Sequence, residues 1–527
     1  MKKNNNSLKI LISLFLIISI FYPLLQMLVK VNWSDFSSLI NSEAFKESFS
    51  NSIYVTLIAT IISVGIAYIL AFSLNRTNIK HRSVLKVLIT LPMLIPSISH
   101  GLGLINLFGA NGIISKVFNF NIIGSSGIIL GSVMYSFPVA FLMIDDGFNY
   151  VDNGLYDVAK ILGLNKIQTF RKVTFVYLRK SLLSALFAVF TMIFTDYGVP
   201  LSIGGKFLTL PVFLYKEVIG LLDFSKGTMI GIFLLIPAFI SFIFDNFTKE
   251  YAHSQNEGKK YRIPANKMRD ITFKVLTYLI IIFIFIVIGS FVYYAFIDNI
   301  VLNPVLSYKH FEYVFNDNLG KYIRNSLLIA IGTSIIGTLI SYLAAYITAR
   351  VKGIGSKVIH ILMISSLAVP GIVLGLSYTM SFNSSFIYNT FLILIMINII
   401  HFIASPYLMA YNALQKINPN YEVVAKTCNI SSFKIIKDVI IPCTKITIRE
   451  MFAYFFVNSM VTISAIAFLF NTKTMPLSLL INNYEGAFMY GEAAIISLII
   501  LFFNMIVKTF IYILNRKDNR REIYGNK

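Results

Sequence analysis

The chain has 527 residues, 56% of them hydrophobic and only 13% charged, with a mean hydropathy of +0.74. Water-soluble domains are less apolar and carry roughly twice that share of charge, so the composition excludes a soluble globular protein and defines an integral membrane protein. The net charge of +21 does not call for nucleic acid as a partner, because a Lys/Arg excess in a membrane protein has a simpler source in the loops it holds on the cytoplasmic side.

Crossing a hydrocarbon core of about 30 Å takes roughly 20 apolar residues. Twelve such segments follow one another, at 8–29, 52–74, 87–108, 127–145, 181–200, 228–246, 273–298, 325–348, 358–380, 387–410, 446–468 and 488–514. The first follows MKKNNNSLK, has a long apolar run and is not followed by a small-x-small cleavage site, so it reads as a retained anchor rather than a secretory signal. With the amino terminus inside, the inner loops collect Arg76, Lys80 and Arg82, then the basic residues of 160–180, 249–269, 350–357, 416–445 and 516–527. The outer loops keep only about ten of the 45 basic residues, a consistent positive-inside bias. The expectation is an all-α bundle in the cell membrane with both termini cytoplasmic. Asp145 and Asp146 then close the fourth span at a solvated boundary.

The chain is internally duplicated. An offset of 274, as from Asn51 to Asn325, also pairs Tyr68 with Tyr342, Ala71 with Ala345, Arg76 with Arg350, Pro96 with Pro370 and Gly101 with Gly375. A slightly smaller offset of 266 pairs Ala159-Lys160 with Ala425-Lys426 and Val173 with Val439. Two six-span units follow, 1–247 and 271–514, joined by a polar linker at 248–270 and ending in a basic tail at 515–527.

Each unit carries a polar loop between apolar spans, at about 153–178 and 418–444. The first contains YDVAKILGLNKIQTFRKVTFVYL (156–178) and the second YEVVAKTCNISSFKIIKDVIIP (421–442). In the first, Val158, Ile161 and Leu162 share one helical face, Gly163-Leu164 permits a left-handed turn, and Phe170, Val173 and Thr174 open a second face. Asn165 with Gln168 three residues on has the form of a capping box, and Ser431 takes the capping place in the second loop. An amphipathic helix on the bilayer surface has the same composition, but recurrence at the same place in both halves argues for a shared task. Cys428 and Cys443 lie in or beside the second loop at a spacing that fits neither metal nor redox pair and read as small packed thiols.

The order acidic-x-Ala-x-x-Leu-Gly, with Phe seven and Val ten residues after the glycine, resembles the EAA loop of binding-protein-dependent ABC importer permeases. Here it is Asp157, Ala159, Leu162, Gly163, Phe170 and Val173, with Val176 where proline is common. The second loop carries Val424, Ala425, Asn429, Val439 and Pro442, with Val423 at the acidic position and Glu422 one residue early. The resemblance implies two tandem six-helix, MetI-like permease units whose loops couple to two cytoplasmic ATPase subunits. It also implies an extracellular or lipid-anchored solute-binding protein, and ATP bound by the partners with no cofactor in this chain. The stretches 195–220 and 458–468 are similar to fused permeases for iron(III), thiamine, polyamines and particularly 2-aminoethylphosphonate, which makes the phosphonate the expected cargo.

Four residues are candidates for the translocation path. Asp196 stands near the outer end of the fifth span, where a carboxylate faces water or a partner such as Lys206. Gly198 and Pro200, with Gly204-Gly205, imply a broken re-entrant segment near the outer mouth, and Ser464 in the second half is a candidate to line the same passage, although a serine bonding its own helix is the more frequent case. Pro96 and Pro370 are candidate hinges, each removing a helical hydrogen bond from the third span of its half. The sequence contains no GxxxxGK[ST], HExxH or GxSxG pattern, so ATP hydrolysis, metallohydrolase and serine-hydrolase chemistry are not expected. A twelve-span secondary transporter is the rival class, although the turn after the second span reads NRTNIKHRSVLK rather than that family's GxxxDRxGRR type.

Overall fold

The computed structural model describes residues 2–115, 121–149, 153–249, 261–298, 304–351 and 353–525. Most of the expected linker, 250–260, lies outside the described residues. Lipid offers no hydrogen bonds to a backbone, so apolar runs of this length satisfy themselves as helices. Eight described helices are long and apolar enough to cross a membrane: Ser7–Val29, Glu43–Arg76, Ser125–Phe148, Lys166–Phe194, Phe224–Phe244, Lys267–Phe296, Leu319–Arg350 and Tyr490–Asp518. Three bent pairs and the 17-residue helix Lys445–Val461 occupy the other four expected places.

The bent pairs revise the picture of the prolines. Arg82–Leu94 and Ser97–Phe108 meet at 96°, and Ile354–Ala368 and Gly371–Phe382 at 107°. Pro96 and Pro370 stand at the N-caps of the second members, with ψ of 153° and 142°. They therefore remove no hydrogen bond from a helix interior. A proline pushes its preceding residue into extended backbone, and Ile95 and Val369 are extended, so each helix stops and a new one starts in another direction. The interior prolines are Pro138 and Pro237.

Each half is clasped by the first span of the other. Ser7–Val29 packs on the second half's elbow, where the Tyr378 hydroxyl donates to the Ser19 carbonyl (2.7 Å) and Lys30 Nζ to the Met380 carbonyl (2.8 Å). Lys267–Phe296 packs back on Glu43–Arg76 and Ser97–Phe108. A Cβ at Gly103 would come within 2.8 Å of Val287 there, so that glycine sets the approach of the two helices. The last span adds a Ser99–Ser497 hydroxyl pair (2.8 Å) and an Asn504 Nδ2 bond to the Leu94 carbonyl (2.9 Å). One continuous hydrophobic interior runs through both halves.

Asp145 departs from the expected solvated boundary. It is buried against Lys86 and the Asn75 amide (2.6 Å), because the second and third spans supply partners that hydropathy does not reveal, while Asp146 is exposed.

Candidate functional site

The first polar loop is built from Asn153–Ile161, a left-handed turn and Lys166–Thr169, which continues through one wide π turn, Phe170–Thr174, into the span Phe175–Phe194. The Leu164 N–H donates to the Ala159 carbonyl (3.0 Å) and the Gly163 N–H to that of Lys160 (3.1 Å), the paired bonds of a Schellman ending. Gly163 has φ +67°, and a Cβ there would touch nothing, so the glycine serves the backbone alone. The expected capping box is present. Gln168 N–H donates to Asn165 Oδ1 (2.9 Å) and Asn165 N–H to Gln168 Oε1 (3.0 Å).

Val158, Ile161 and Leu162 do share a face, but it points outward, with Ile161 84% and Leu162 69% exposed. Ile167 and Phe170 extend this apolar surface. The opposite side buries Ala159 and Val173 beneath Leu155, Tyr156 and Leu164 in a small core of its own. Thr174 is buried as well, so the second face divides, with Phe170 outward and Val173 and Thr174 inward. Asp157 accepts from the Asn153 amide (2.8 Å), whose Oδ1 takes the Arg262 N–H (2.8 Å) where the chain re-enters after the linker.

The second loop repeats the plan at the offset of 266. Asn420–Thr427 ends in Asn429 at φ +54°, the Ile430 N–H donates to the Ala425 carbonyl (2.8 Å), and the Lys434 N–H donates to the Ser431 hydroxyl (3.3 Å). A π turn, Ile436–Ile440, again leads to the next span. Asn therefore performs the turn assigned to Gly163, as its tolerance of left-handed backbone allows. The packing differs. Ala425 and the half-buried Val439 flank a cleft of about 470 Å³ with Val424, Ile430, Lys434 and Asp438 on its walls. Pro442 is exposed in the short helix Ile441–Cys443. Both cysteines are exposed, against the expectation of packed thiols.

Two arginines that sequence reading used as markers of duplication and of the cytoplasmic side anchor these loops. Arg350 Nε donates to Glu422 Oε1 (2.6 Å) and its terminal nitrogens to Glu422 Oε2 (2.5 Å) and the Ile417 carbonyl (2.7 Å). Glu422 is therefore no displaced copy of Asp157. It corresponds to Tyr156 and faces inward. Arg76, the counterpart of Arg350, lies 5.5 Å from the Tyr156 ring, 5.0 Å from Phe148 and 4.1 Å from Tyr261, and reaches the Tyr156 hydroxyl at 3.4 Å. One half thus ties its loop with an ion pair and the other with aromatic faces. The signal was the unequal offsets, 274 for the arginines and 266 for the loops, which bring non-obvious positions into register.

At the other end the fifth span stops at Phe194, and Gly198–Ile203 forms a separate short helix that includes Pro200, with Gly205 at φ +59° beyond it, as expected for a broken segment. Asp196 is buried, accepts from the Val199 N–H (3.0 Å) and stands within reach of Ser97. Lys206 is exposed and makes no ion pair with it among the described residues, so Asp196 caps a helix rather than pairing with that lysine. Ser464 lies beyond the end of Lys445–Val461, in a turn and not on a helix. A Cβ at Gly198 would collide with Ser97 and Ile463, and one at Gly371 with Ser464 and His401. The halves therefore exchange the small residue: Gly198 faces Ser97 in one, Ser464 faces Gly371 in the other. Gly198 and Asp196 meet the elbow at Pro96, and Ser464 the elbow at Pro370.

An all-α, multi-pass bundle with two elbows and two matched polar loops is the architecture of a membrane permease. The chain belongs to the family described as binding-protein-dependent transport system inner membrane component, matched at residues 63–252 and 337–519. This is a family of transport permeases and not of enzymes, and it brings an ABC-type ATPase and a solute-binding protein as partners. The chain is 27% identical over 487 residues to the ferric transport system permease protein FbpB of Actinobacillus pleuropneumoniae, covering 87% of this chain and 71% of that one. A putative FbpB of Haemophilus influenzae is 26% identical, with 81% and 70% covered. The molybdate/tungstate permease WtpB of Methanocaldococcus jannaschii is 28% identical but matches only 44% of this chain, with 92% of its own length.

Proposed function

We propose that the loops around Gly163 and Asn429 are the docking elements for two ATPase subunits, and that both face the cytoplasm with the two termini. What carries this reading is the recurrence of one device at an offset of 266: a left-handed turn closing the first helix, a capped second helix and a π turn, with exposed apolar side chains on the outward face. An apolar surface in a polar loop is suited to burial in a partner's groove. Asp157, Ala159, Leu162, Phe170 and Val173 would shape the first element, and Val424, Ala425, Val439 and Pro442 the second. ATP-driven closure of the ATPases would then rock the halves between two states, with Pro96 and Pro370 as hinges and Asp196, Gly198, Pro200 and Ser464 along the path. Replacing Gly163 by isoleucine and measuring ATPase co-purification tests the docking. Loss of association is expected, and unchanged association with unchanged transport overturns it.

For the cargo we favour iron(III) over 2-aminoethylphosphonate. Support comes from the two ferric permeases, which resemble both halves at once, whereas the molybdate/tungstate permease aligns with less than half of the chain. Thermal shift of the partner solute-binding protein with iron(III), 2-aminoethylphosphonate, thiamine and spermidine decides the matter. Stabilisation by iron(III) alone is expected, and stabilisation by one of the other three alone overturns the choice.

A further inference from the structure

A group of oxygen-bearing side chains from both halves meets beside the short helix Gly198–Ile203. Ser202, on that helix, donates its hydroxyl to Glu485 Oε1, on Leu477–Gly486 of the second half. The other carboxylate oxygen, Glu485 Oε2, is enclosed and has no hydrogen-bond partner among the described residues. Asn482, one turn earlier on the same helix face, lies within hydrogen-bonding reach of the Tyr215 hydroxyl. The Tyr215 ring stacks on Tyr197 at 5.2 Å, and Tyr197 is fully buried with its hydroxyl also unpartnered among the described residues. Two enclosed polar atoms without partners among the described residues, one on each half, are thus linked across the seam through Asn482 and Tyr215.

A carboxylate removed from water is costly unless a cation or several donors compensate it. Among the described residues no basic side chain pairs with Glu485, and Ser202 supplies a single hydroxyl. The donors in the seam are phenol, hydroxyl, amide and carboxylate oxygens, with neither thiol nor imidazole among them. That set suits a hard cation rather than a soft one. It is also sparse: among the described residues no three His, Cys, Asp or Glu side chains gather to hold a resident metal. A conduction site must bind well enough to admit an ion and weakly enough to release it.

We propose that Glu485, Ser202, Tyr197, Tyr215 and Asn482 form a transient site for a hard, oxygen-coordinated cation between the two halves, with Glu485 as its charge-selecting residue. The proposal rests on the iron(III) reading for its physiological cargo, but the site itself is testable without it.

Terbium(III), a hard trivalent ion whose emission neighbouring tyrosines sensitise, is the probe for the purified full chain in detergent. Saturable emission is expected from the natural protein, with affinity lower by at least about tenfold in E485Q and by about threefold in S202A, and unchanged in E312Q at an exposed carboxylate elsewhere. Y197F should dim the emission without abolishing it, since Tyr215 remains as a sensitiser. Equal affinity in E485Q and the natural protein overturns the site, as does equal loss in E312Q. Should E485Q fail to fold, E485D serves in its place: weakened binding supports the site and unaltered binding overturns it. If terbium binding depends on Glu485 while the solute-binding protein takes no iron(III), the cargo reading fails and the site stands.

Discussion

Arg350 shows how much a single residue can organise at a loop junction. Its guanidinium forks onto both Glu422 oxygens and reaches the Leu414, Ile417 and Asn418 carbonyls, closing the end of one helix and the start of the next. The planar fork is what a lysine lacks. R350K and R350A should both loosen the second loop, the alanine by about 2 kcal/mol given that Glu422 keeps some water. Hydrogen exchange of the amides at 420–430 reads this out, and R76A, which removes three cation–π contacts worth about 0.5–1 kcal/mol each together with the hydrogen bond to the Tyr156 hydroxyl, should loosen 153–162 to a similar extent. His310 gives a pH prediction. Its ring lies 3.0 Å from Glu492 on the short helix Lys309–Asn316, outside the spans, and that hydrogen bond holds its pKa above the ordinary 6.5 against the opposing effect of burial. A raised folded-state pKa contributes stability that is fully present below about 6.5 and lost as pH rises through the folded value. Thermal stability in detergent should therefore decline as pH rises above about 6.5, and H310Q should flatten that slope.

At the scale of elements, the two turns make a matched test. Gly163 and Asn429 share left-handed backbone, and space around Gly163 is open, so substitution there acts only through conformation. G163A should cost about 1–2 kcal/mol and weaken ATPase association about tenfold, whereas G163N should weaken it less, and N429G should be neutral or slightly favourable. Titration of the ATPase onto the purified chain measures all three. The capping box, the left-handed turn and the break after the fifth span were legible from residue types, because those features are local and depend on neighbours three to five positions away. The elbows were legible only as prolines. Their angles of 96° and 107° depend on what the second member of each pair packs against. The outward direction of Val158, Ile161 and Leu162 was not legible either: spacing shows that residues share a face, and only the fold shows which way the face looks.

For the whole molecule, the exchange of first spans carries the main consequence. Because Ser7–Val29 packs on the second half and Lys267–Phe296 on the first, covalent continuity contributes little to holding the halves together. Cleavage within 250–260, by an inserted protease site, should leave both fragments co-purifying in detergent. Deleting residues 1–30 should weaken that association, and Y378F should do so slightly, by the roughly 1 kcal/mol of one hydrogen bond.

Membrane class, twelve apolar segments, duplication and the two polar loops were determined by the sequence alone, because a bilayer makes span length and charge placement nearly independent of tertiary contacts. The tertiary structure alone decided the partners of Arg76 and Arg350, the burial of Asp145, the exchange of Gly198 and Ser464 across the elbows, and the meeting of Ser202 with Glu485. Each of those pairs residues far apart in the chain, and only the packing of helices, which residue order does not encode locally, brings them together.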